Sequence, residues 1–202
     1  LGAVLSWGGV NSRYHAIALA RYRARGGEDE DWMYGKWVSM HGGTHLVVTD
    51  RMPVNPYLYR VLKHDANIPA DGILTVAPPL STSMLLRWPL AEQDGAKIRL
   101  TAFKPTNSEN APDQWEAEAL RNIIGGQEEI GSLDRFDGQD YYRTMRPIVA
   151  EKRCVTCHRD SGLKAGDVCG GASIAVPVAP FSLLMWKDII LLVIGKCRLG
   201  SI

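Results

Sequence analysis

The residues with the most specific chemistry form one short segment, Cys154-Val155-Thr156-Cys157-His158. The spacing C-x-x-C-H is the attachment pattern of c-type haem. Two thiols one helical turn apart can add to the two vinyl groups on one edge of a porphyrin, and the next residue then lies where its imidazole can bind the iron. The segment therefore predicts one covalent haem c per chain, attached through Cys154 and Cys157, with His158 as the proximal axial ligand.

Two other uses of the cysteine pair are open from the residues alone. A zinc ion could recruit Cys154, Cys157 and Cys169 with a histidine, but no second C-x-x-C and no H-x-x-x-H completes such a site. A redox-active disulfide, as in thioredoxin-like proteins, favours a pair at the start of a helix in a βαβ unit, which the sequence does not indicate. Haem attachment is the favoured interpretation.

A haem held by His158 leaves a sixth iron position, for which histidine and methionine are the usual ligands. His41 precedes Gly42-Gly43, and glycines let a backbone approach a flat ring closely. We expect His41 to be the distal ligand, with Met40 and Met84 as the next candidates. The alternative is a hydrogen-bonded turn histidine and a sixth position that is empty or filled by water.

Haem propionates need cationic or hydrogen-bonding partners. Arg143 and Arg146 lie upstream of the cysteine pair and Lys164 follows it, so these three are the candidate partners. The alternative for each is a solvated charge on a strand or loop. Asp113 and Glu116 are interpreted as carboxylates at a helix start, and no pair of residues indicates acid–base catalysis, so we do not expect an enzyme.

Composition limits the classes of function. The chain has 202 residues, of which 46% are hydrophobic and 22% charged, the balance of a globular domain with a core. Its 23 basic and 22 acidic side chains give a net charge of +1, so no overall field favours nucleic acid as a partner. The 4 cysteines are too few for a disulfide scaffold.

Periodicity and chain breakers predict an α+β fold with an antiparallel sheet. One or two helices are expected over residues 11–39, with a break at Gly26-Gly27. The clearest helix is expected over residues 111–124, with Pro112 in its first turn and an apolar stripe along one side. Pro147 favours an edge position for its strand. Strands are expected over residues 46–49, 73–77, 98–103, 141–150 and 172–178.

Both ends of the chain are apolar, and we expect them to lie near a membrane. Leu1 to Val10 is too short to span a bilayer but fits the tail of a spanning helix or signal peptide, or a frayed helix. Charged residues interrupt the apolar C-terminal stretch, which favours an interfacial helix, or a spanning helix that tolerates a Lys-Asp pair, over a clean span. The predicted division is a membrane-proximal helical segment over 1–35, a haem-binding domain over 36–180 and an apolar C-terminal helix over 181–202.

Five segments resemble, in order, blocks of a family of periplasmic haem c-binding, PAS-like sensor domains found ahead of histidine kinase or diguanylate cyclase modules. The segments are KWVSMHGG (36–43), PVNPYL (53–58), NAPDQWE (110–116), YRTMRP (142–147) and GDVCGGAS (166–173). The resemblance covers residues 36–178. Two departures stand out: the family usually has arginine where this chain has Cys169, and residues 77–88 fit the family's N-P-A-x-M-T-R block poorly.

The resemblance implies a PAS-like domain with flanking helices, a long N-terminal helix that pairs two copies in a homodimer, and a downstream signalling module. It also implies a membrane-anchored, periplasmic location, and covalent haem agrees because haem c is matured outside the cytoplasm. The expected function is a redox or diatomic-gas sensor, in which altered axial ligation shifts the flanking helices. The alternative is a monohaem c-type cytochrome that transfers electrons to a redox partner protein, as a subunit of a membrane complex.

Overall fold

The computed structural model describes residues 2–41, 44–47, 49–50, 66–68, 72–77, 93–136, 138–157, 162–183 and 187. The helices and strands in chain order are α1 (Gly2–Met40), β1 (Thr44–Val47), β2 (Ala66–Ile68), β3 (Gly72–Ala77), β4 (Lys97–Thr101), a 3-10 turn (Ser108–Asn110), α2 (Gln114–Ile124), β5 (Ile130–Phe136), β6 (Gln139–Val149), α3 (Lys152–Cys157) and β7 (Val168–Pro177).

The strands form two antiparallel sheets, one with the order β1-β3-β2 and one with the order β4-β7-β6-β5. The four-stranded sheet carries α1 on one face, where alanines of the helix pack on Tyr142 and Ile174. On the other face, α2 packs its apolar side on Met145. The α+β fold with an antiparallel sheet and a long N-terminal helix is therefore confirmed, and it is consistent with the PAS-like architecture that the resemblance implies.

α1 is one continuous helix of 39 residues. Of the one or two helices expected over residues 11–39 the structure therefore has one, and Gly26-Gly27 does not break it. Ser12, Ala16, Ala20 and Ala24 recur every four residues and are at most 2% exposed. Because these side chains are small, the helix can lie close to β6 and β7 along its length. This packing outweighs the roughly 1 kcal/mol that a glycine costs inside a helix. The helix also continues through the domain boundary predicted after residue 35.

Two ion pairs join α1 to the sheet near the glycine pair: Arg25–Glu129, with 2.7 Å between Nη2 and Oε2, and Asp29–Arg146, with 2.5 Å between Oδ1 and Nη1. Each pair contains at least one well-exposed side chain. Exposed pairs of this kind contribute at most about 1 kcal/mol each. They align α1 on the sheet, while apolar burial supplies most of the attachment.

Glu28 is a buried carboxyl group between α1 and β6. It is 5% exposed and accepts a hydrogen bond from the Thr144 hydroxyl. Burial raises the pKa of Glu28 to about 7, and the Thr144 hydrogen bond and the Arg146 charge oppose this rise only in part, while Glu129 and Asp29 add to it. Glu28 is therefore largely protonated below neutral pH in the folded chain.

The predicted central elements are present with shifted ends. α2 begins at Gln114 because Asp113 caps it: Asp113 Oδ1 accepts from the Glu116 N–H at 2.8 Å, and Glu116 Oε2 accepts from the Asp113 N–H at 3.1 Å. The interpretation of these two residues as helix-start carboxylates is confirmed. β6 lies between β5 and β7, so the edge position predicted for it is wrong. Its pairing with β5 ends at Met145, however, and Pro147 lies beyond that point.

Among the described helices, none has a stretch both long and apolar enough to cross a bilayer. The apolar helix predicted over 181–202 falls almost entirely outside the described residues, which include only 181–183 and 187 of it.

We expect Glu28→Gln to remove a pH dependence of stability. The folded-state pKa of Glu28 is about 7, above its ordinary value of 4.5, so stability falls as the pH rises from about 4.5 to about 7, where the carboxyl is ionised in the unfolded chain but still protonated in the folded one. The loss approaches roughly 3 kcal/mol, since each pKa unit corresponds to about 1.4 kcal/mol. In urea unfolding, the variant should resemble the unmodified chain near pH 5 and be more stable near pH 8.

The matched control is Glu30→Gln, a substitution at an exposed position of the same helix. It should keep the pH dependence of the unmodified chain. If the Glu28 variant loses stability with pH as steeply as the control, the buried carboxyl is not its source.

Candidate functional site

The predicted haem-attachment cysteines lie on α3, which begins three residues after the end of β6. Cys154 and Cys157 are three residues apart in this helix, so they lie about one turn apart on one face. Cys154 is half-buried with a free thiol, and its Sγ accepts a hydrogen bond from the Glu151 N–H at 3.4 Å. This arrangement fits thioether bonds to two vinyl groups of a haem. The side chain of Cys157 and the whole of His158 lie outside the described residues.

The end of α1 is joined to the residue that precedes α3. Ser39 Oγ donates a hydrogen bond to Glu151 Oε2 at 3.2 Å. The carbonyl oxygen of Glu151 accepts from the Cys154 N–H at 2.9 Å. His41 follows Ser39 by two residues, so the fold brings the segment of the candidate distal ligand and the segment of Cys154 together.

The imidazole of His41 is exposed and is held by the preceding turn of α1. Its Nδ1 lies 2.8 Å from the Trp37 carbonyl oxygen, and the two rings are 4.4 Å apart at their centroids. When Nδ1 carries the proton and donates to this carbonyl, the lone pair is on Nε2. Histidines that bind metals are commonly oriented in this way by a carbonyl on the other ring nitrogen. Of the next candidates, Met40 is 65% exposed and Met84 lies outside the described residues.

Arg143, a candidate propionate partner, is at the centre of a buried ionic network. Its side chain is 8% exposed, with Nη2 2.7 Å from Asp113 Oδ2 and Nη1 2.9 Å from Asp134 Oδ2. The guanidinium also stacks over Trp115, 4.5 Å from the ring centroid. Because protein carboxylates already balance its charge, this geometry does not favour a contact between Arg143 and a haem propionate.

Glu116 joins this network to three strands. It is fully buried, and its carboxylate accepts from Ser173 Oγ at 2.6 Å and from the Asp113 N–H at 3.1 Å. Arg99 Nη1 and Arg143 Nη2 lie 3.3 and 3.5 Å from its oxygens. A buried carboxylate with this many partners is satisfied, and it ties α2 to β4, β6 and β7.

The other two candidate propionate partners lie outside the network around Arg143. Arg146 faces α1, where it pairs with Asp29. Lys164 is exposed between α3 and β7, and its backbone N–H donates to Asp167 Oδ2 at 2.8 Å. A role for either residue toward a propionate stays a prediction.

The sequence analysis joined Cys169 to Cys154 and Cys157 only in the alternative zinc site, and it did not predict that Cys169 contacts the end of β6. Cys169 is half-buried on β7, and its thiol donates to the Ile148 carbonyl oxygen at 3.2 Å. Burial raises the pKa of Cys169, and the neighbouring Cys154 raises it further. Because β7 runs antiparallel to β6, Cys169 lies beside the end of β6, and no local sequence pattern predicts this contact. Among the described residues, no group of three or more His, Cys, Asp or Glu is placed to hold a metal ion.

We expect Glu116→Ala to destabilise the fold. Its removal leaves the partly buried positive charges of Arg99 and Arg143 less balanced, and breaking a buried pair in this way costs about 3–5 kcal/mol. Urea denaturation measures the change in the free energy of unfolding. Glu118→Ala, at an exposed position of the same helix, is the matched control and should change stability by less than about 0.5 kcal/mol. Equal effects of the two substitutions would contradict the network.

The described elements define an α+β domain that carries a cysteine pair on a short helix beyond the end of its central strand. The chain belongs to the Tll0287-like family, whose model matches residues 46–177. This match includes α3 and Cys169 but not α1.

A solved structure and a search of curated proteins complete the comparison. The crystal structure of the cyanobacterial haem protein Tll0287 is similar to this chain at 16% identity with a TM-score of 0.40, over 48% of this chain and 70% of that one. Among curated proteins, none matches the chain significantly.

Proposed function

We propose that this chain is an extracytoplasmic haem c-binding domain that acts as a redox or diatomic-gas sensor. Cys154 and Cys157 each add a thiol S–H across a vinyl C=C: one S–C bond forms per cysteine, the hydrogen goes to the other vinyl carbon, and no electrons are lost. His158 binds the iron on the proximal side. The bound haem supplies an iron with two oxidation states and an exchangeable axial position.

The observation that carries this proposal is the one-turn spacing of Cys154 and Cys157 on α3, with a free, half-buried thiol at Cys154. His158 follows directly in the sequence. Family membership agrees, because the cyanobacterial protein whose name the family carries is described as a haem protein.

His41 is our candidate for the distal ligand. The hydrogen bond from Ser39 to Glu151 places the end of α1 beside the segment of Cys154, and the Trp37 carbonyl orients the imidazole. Iron bound to Nε2 of His41 would hold the end of α1. Reduction of the iron, or a diatomic ligand that displaces His41, would then release this end, so α1 is the element that transmits the signal.

The remaining parts of the proposal concern partners. A sensor of this kind passes the movement of α1 to a downstream signalling module. Membrane anchoring through the apolar ends and pairing of two chains through α1 complete the proposed arrangement. Lys164 is the exposed cation available to the propionates, and Arg146 would have to exchange its pairing with Asp29 to serve them.

Haem attachment is tested by the mass and the spectrum of the protein produced together with a cytochrome c maturation system. We expect a mass increase of one haem per chain that survives denaturation, and a pyridine haemochrome spectrum of a haem with two thioether bonds. Cys154→Ala should leave one thioether bond and shift this spectrum, and replacement of both Cys154 and Cys157 should abolish covalent haem. Cys197→Ala, outside the motif, is the matched control. A chain that matures without haem contradicts the proposal.

Distal ligation is tested by His41→Ala. We expect the unmodified ferric protein to show a six-coordinate, low-spin spectrum and the ferric variant to become high-spin. After reduction, the variant should bind carbon monoxide faster than the unmodified protein because its sixth position is open. His15→Ala, at an exposed position of the same helix, should change neither property. Identical spectra for the His41 variant and the unmodified protein would exclude His41 as the ligand.

Hydrogen exchange separates a sensor from an electron carrier. In a sensor, the amides over residues 30–41 should exchange faster when carbon monoxide or nitric oxide displaces His41. A protein that binds neither gas, and whose α1 exchanges equally in both oxidation states, would be a monohaem electron carrier.

A further inference from the structure

Cys169, a third cysteine, lies on β7 near the point where β6 leads into the proposed haem-attachment segment. β6 and β7 pair in antiparallel fashion, with Val149 opposite Val168 and Ile148 opposite Gly170. Cys169 is thus the extra residue of a bulge at this end of the strand pair. α3, which carries Cys154, leaves β6 at the same end.

Backbone contacts fix this end of the strand pair. The Ala150 N–H donates to the Asp167 carbonyl oxygen at 2.8 Å, and the Gly166 N–H donates to the Ala150 carbonyl oxygen at 2.8 Å. Next to Cys169, Gly170 packs so closely on the Thr101 carbonyl that any side chain there would collide with it. The position of Cys169 in the sheet is therefore set by its neighbours.

Each of the two thiols is held weakly. Cys169 donates one hydrogen bond to the Ile148 carbonyl, and Cys154 accepts one from the Glu151 N–H at 3.4 Å. Both thiols are free and half-buried, and thiols are weak hydrogen-bonding groups. Cys154 is also close enough to Cys169 to raise its pKa, in addition to the larger rise that burial causes. Both thiols therefore lie at the junction of β6 and α3, next to the backbone of residues 148 and 151.

We propose that Cys154 and Cys169 form a reversible disulfide in the chain before haem attachment, and that this bond controls whether Cys154 is available to a haem vinyl group. Two S–H bonds break and one S–S bond forms, and the two protons and two electrons released pass to a disulfide oxidant, such as glutathione disulfide, which becomes two thiols. A dithiol reductant reverses the reaction. The first half of the proposal concerns the haem-free chain alone; the second half rests on the proposed function.

The disulfide is tested on the full haem-free chain, produced without a maturation system and equilibrated in glutathione buffers of varied redox state. Free thiols are then blocked with iodoacetamide and the chain is digested with trypsin, which separates the peptide 154–159 from the peptide 165–187. We expect these two peptides to be linked, with fragmentation placing the bond at Cys154, and dithiothreitol should release them. Cys169→Ser should abolish the linked species, and Cys197→Ser should retain it.

Two outcomes would overturn the disulfide. One is a Cys169 that remains fully alkylated at every redox state, and the other is a bond between Cys154 and Cys157 as the only disulfide formed.

Control of haem attachment is tested on the oxidised chain. We expect haem to attach through Cys154 only after dithiothreitol is added, and attachment at both cysteines without reductant would overturn this control. If the reduced chain takes up no haem at all, the proposed function fails while the disulfide, established on the haem-free chain, stands.

Discussion

The antiparallel pairing of β6 with β7 is the constraint on which the rest of the structure depends. Along β6, Tyr142 and Thr144 face α1, while Arg143 and Met145 face α2. The same strand leads within three residues into α3. A shift of register by one residue would exchange the two faces, so the packing of both helices and the direction in which the chain enters α3 are set together.

The two helices pack on the two faces of this sheet through different kinds of side chain. On the α1 face, small side chains let a long helix approach the sheet closely. The buried carboxyl of Glu28 on this helix accepts a hydrogen bond from Thr144 of β6. On the α2 face, Glu116 and Arg143 are buried charges with several partners each, while their partners Arg99 and Asp113 are partly exposed. Buried ion pairs add little net stability over apolar packing, but removing one partner is costly. The network therefore fixes where α2 lies more than it stabilises the fold.

Local patterns in the sequence predicted the elements whose causes are local. The start of α2 follows from Asp113 and Glu116, which cap it within four residues. Five strands were predicted from their apolar residues and flanking turn residues, whereas β2 and β5 were not predicted. Gly26-Gly27 does not break α1, because packing on the sheet outweighs the helix propensity of two residues. The edge position predicted for β6 was wrong because Pro147 lies beyond Met145, where the pairing with β5 ends. The proline therefore constrains only that end of the strand.

The candidate site could be predicted only in part from the sequence. The motif predicts Cys154 and Cys157 as attachment residues because its spacing is local. Arg143 was recognisable as a cation near the motif, but the carboxylates that surround it come from α2 and from β5, which are distant in the sequence. The links from Ser39 to Glu151 and from Cys169 toward Cys154 also join distant segments. No periodicity or spacing encodes such contacts, because the register of β6 and β7 creates them.

The free energy of the contact between α1 and the segment of Cys154 limits the role that this contact can have in signalling. One hydrogen bond, such as the bond from Ser39 to Glu151, contributes about 0.5–1.5 kcal/mol. Moving a two-state equilibrium from 1:99 to 99:1 requires about 5.5 kcal/mol. The hydrogen bond can therefore position the end of α1 but cannot by itself switch it. Under the proposed function, the free energy that moves α1 must come from the bond between His41 and the iron, and the packed alanine face must carry that movement along the helix.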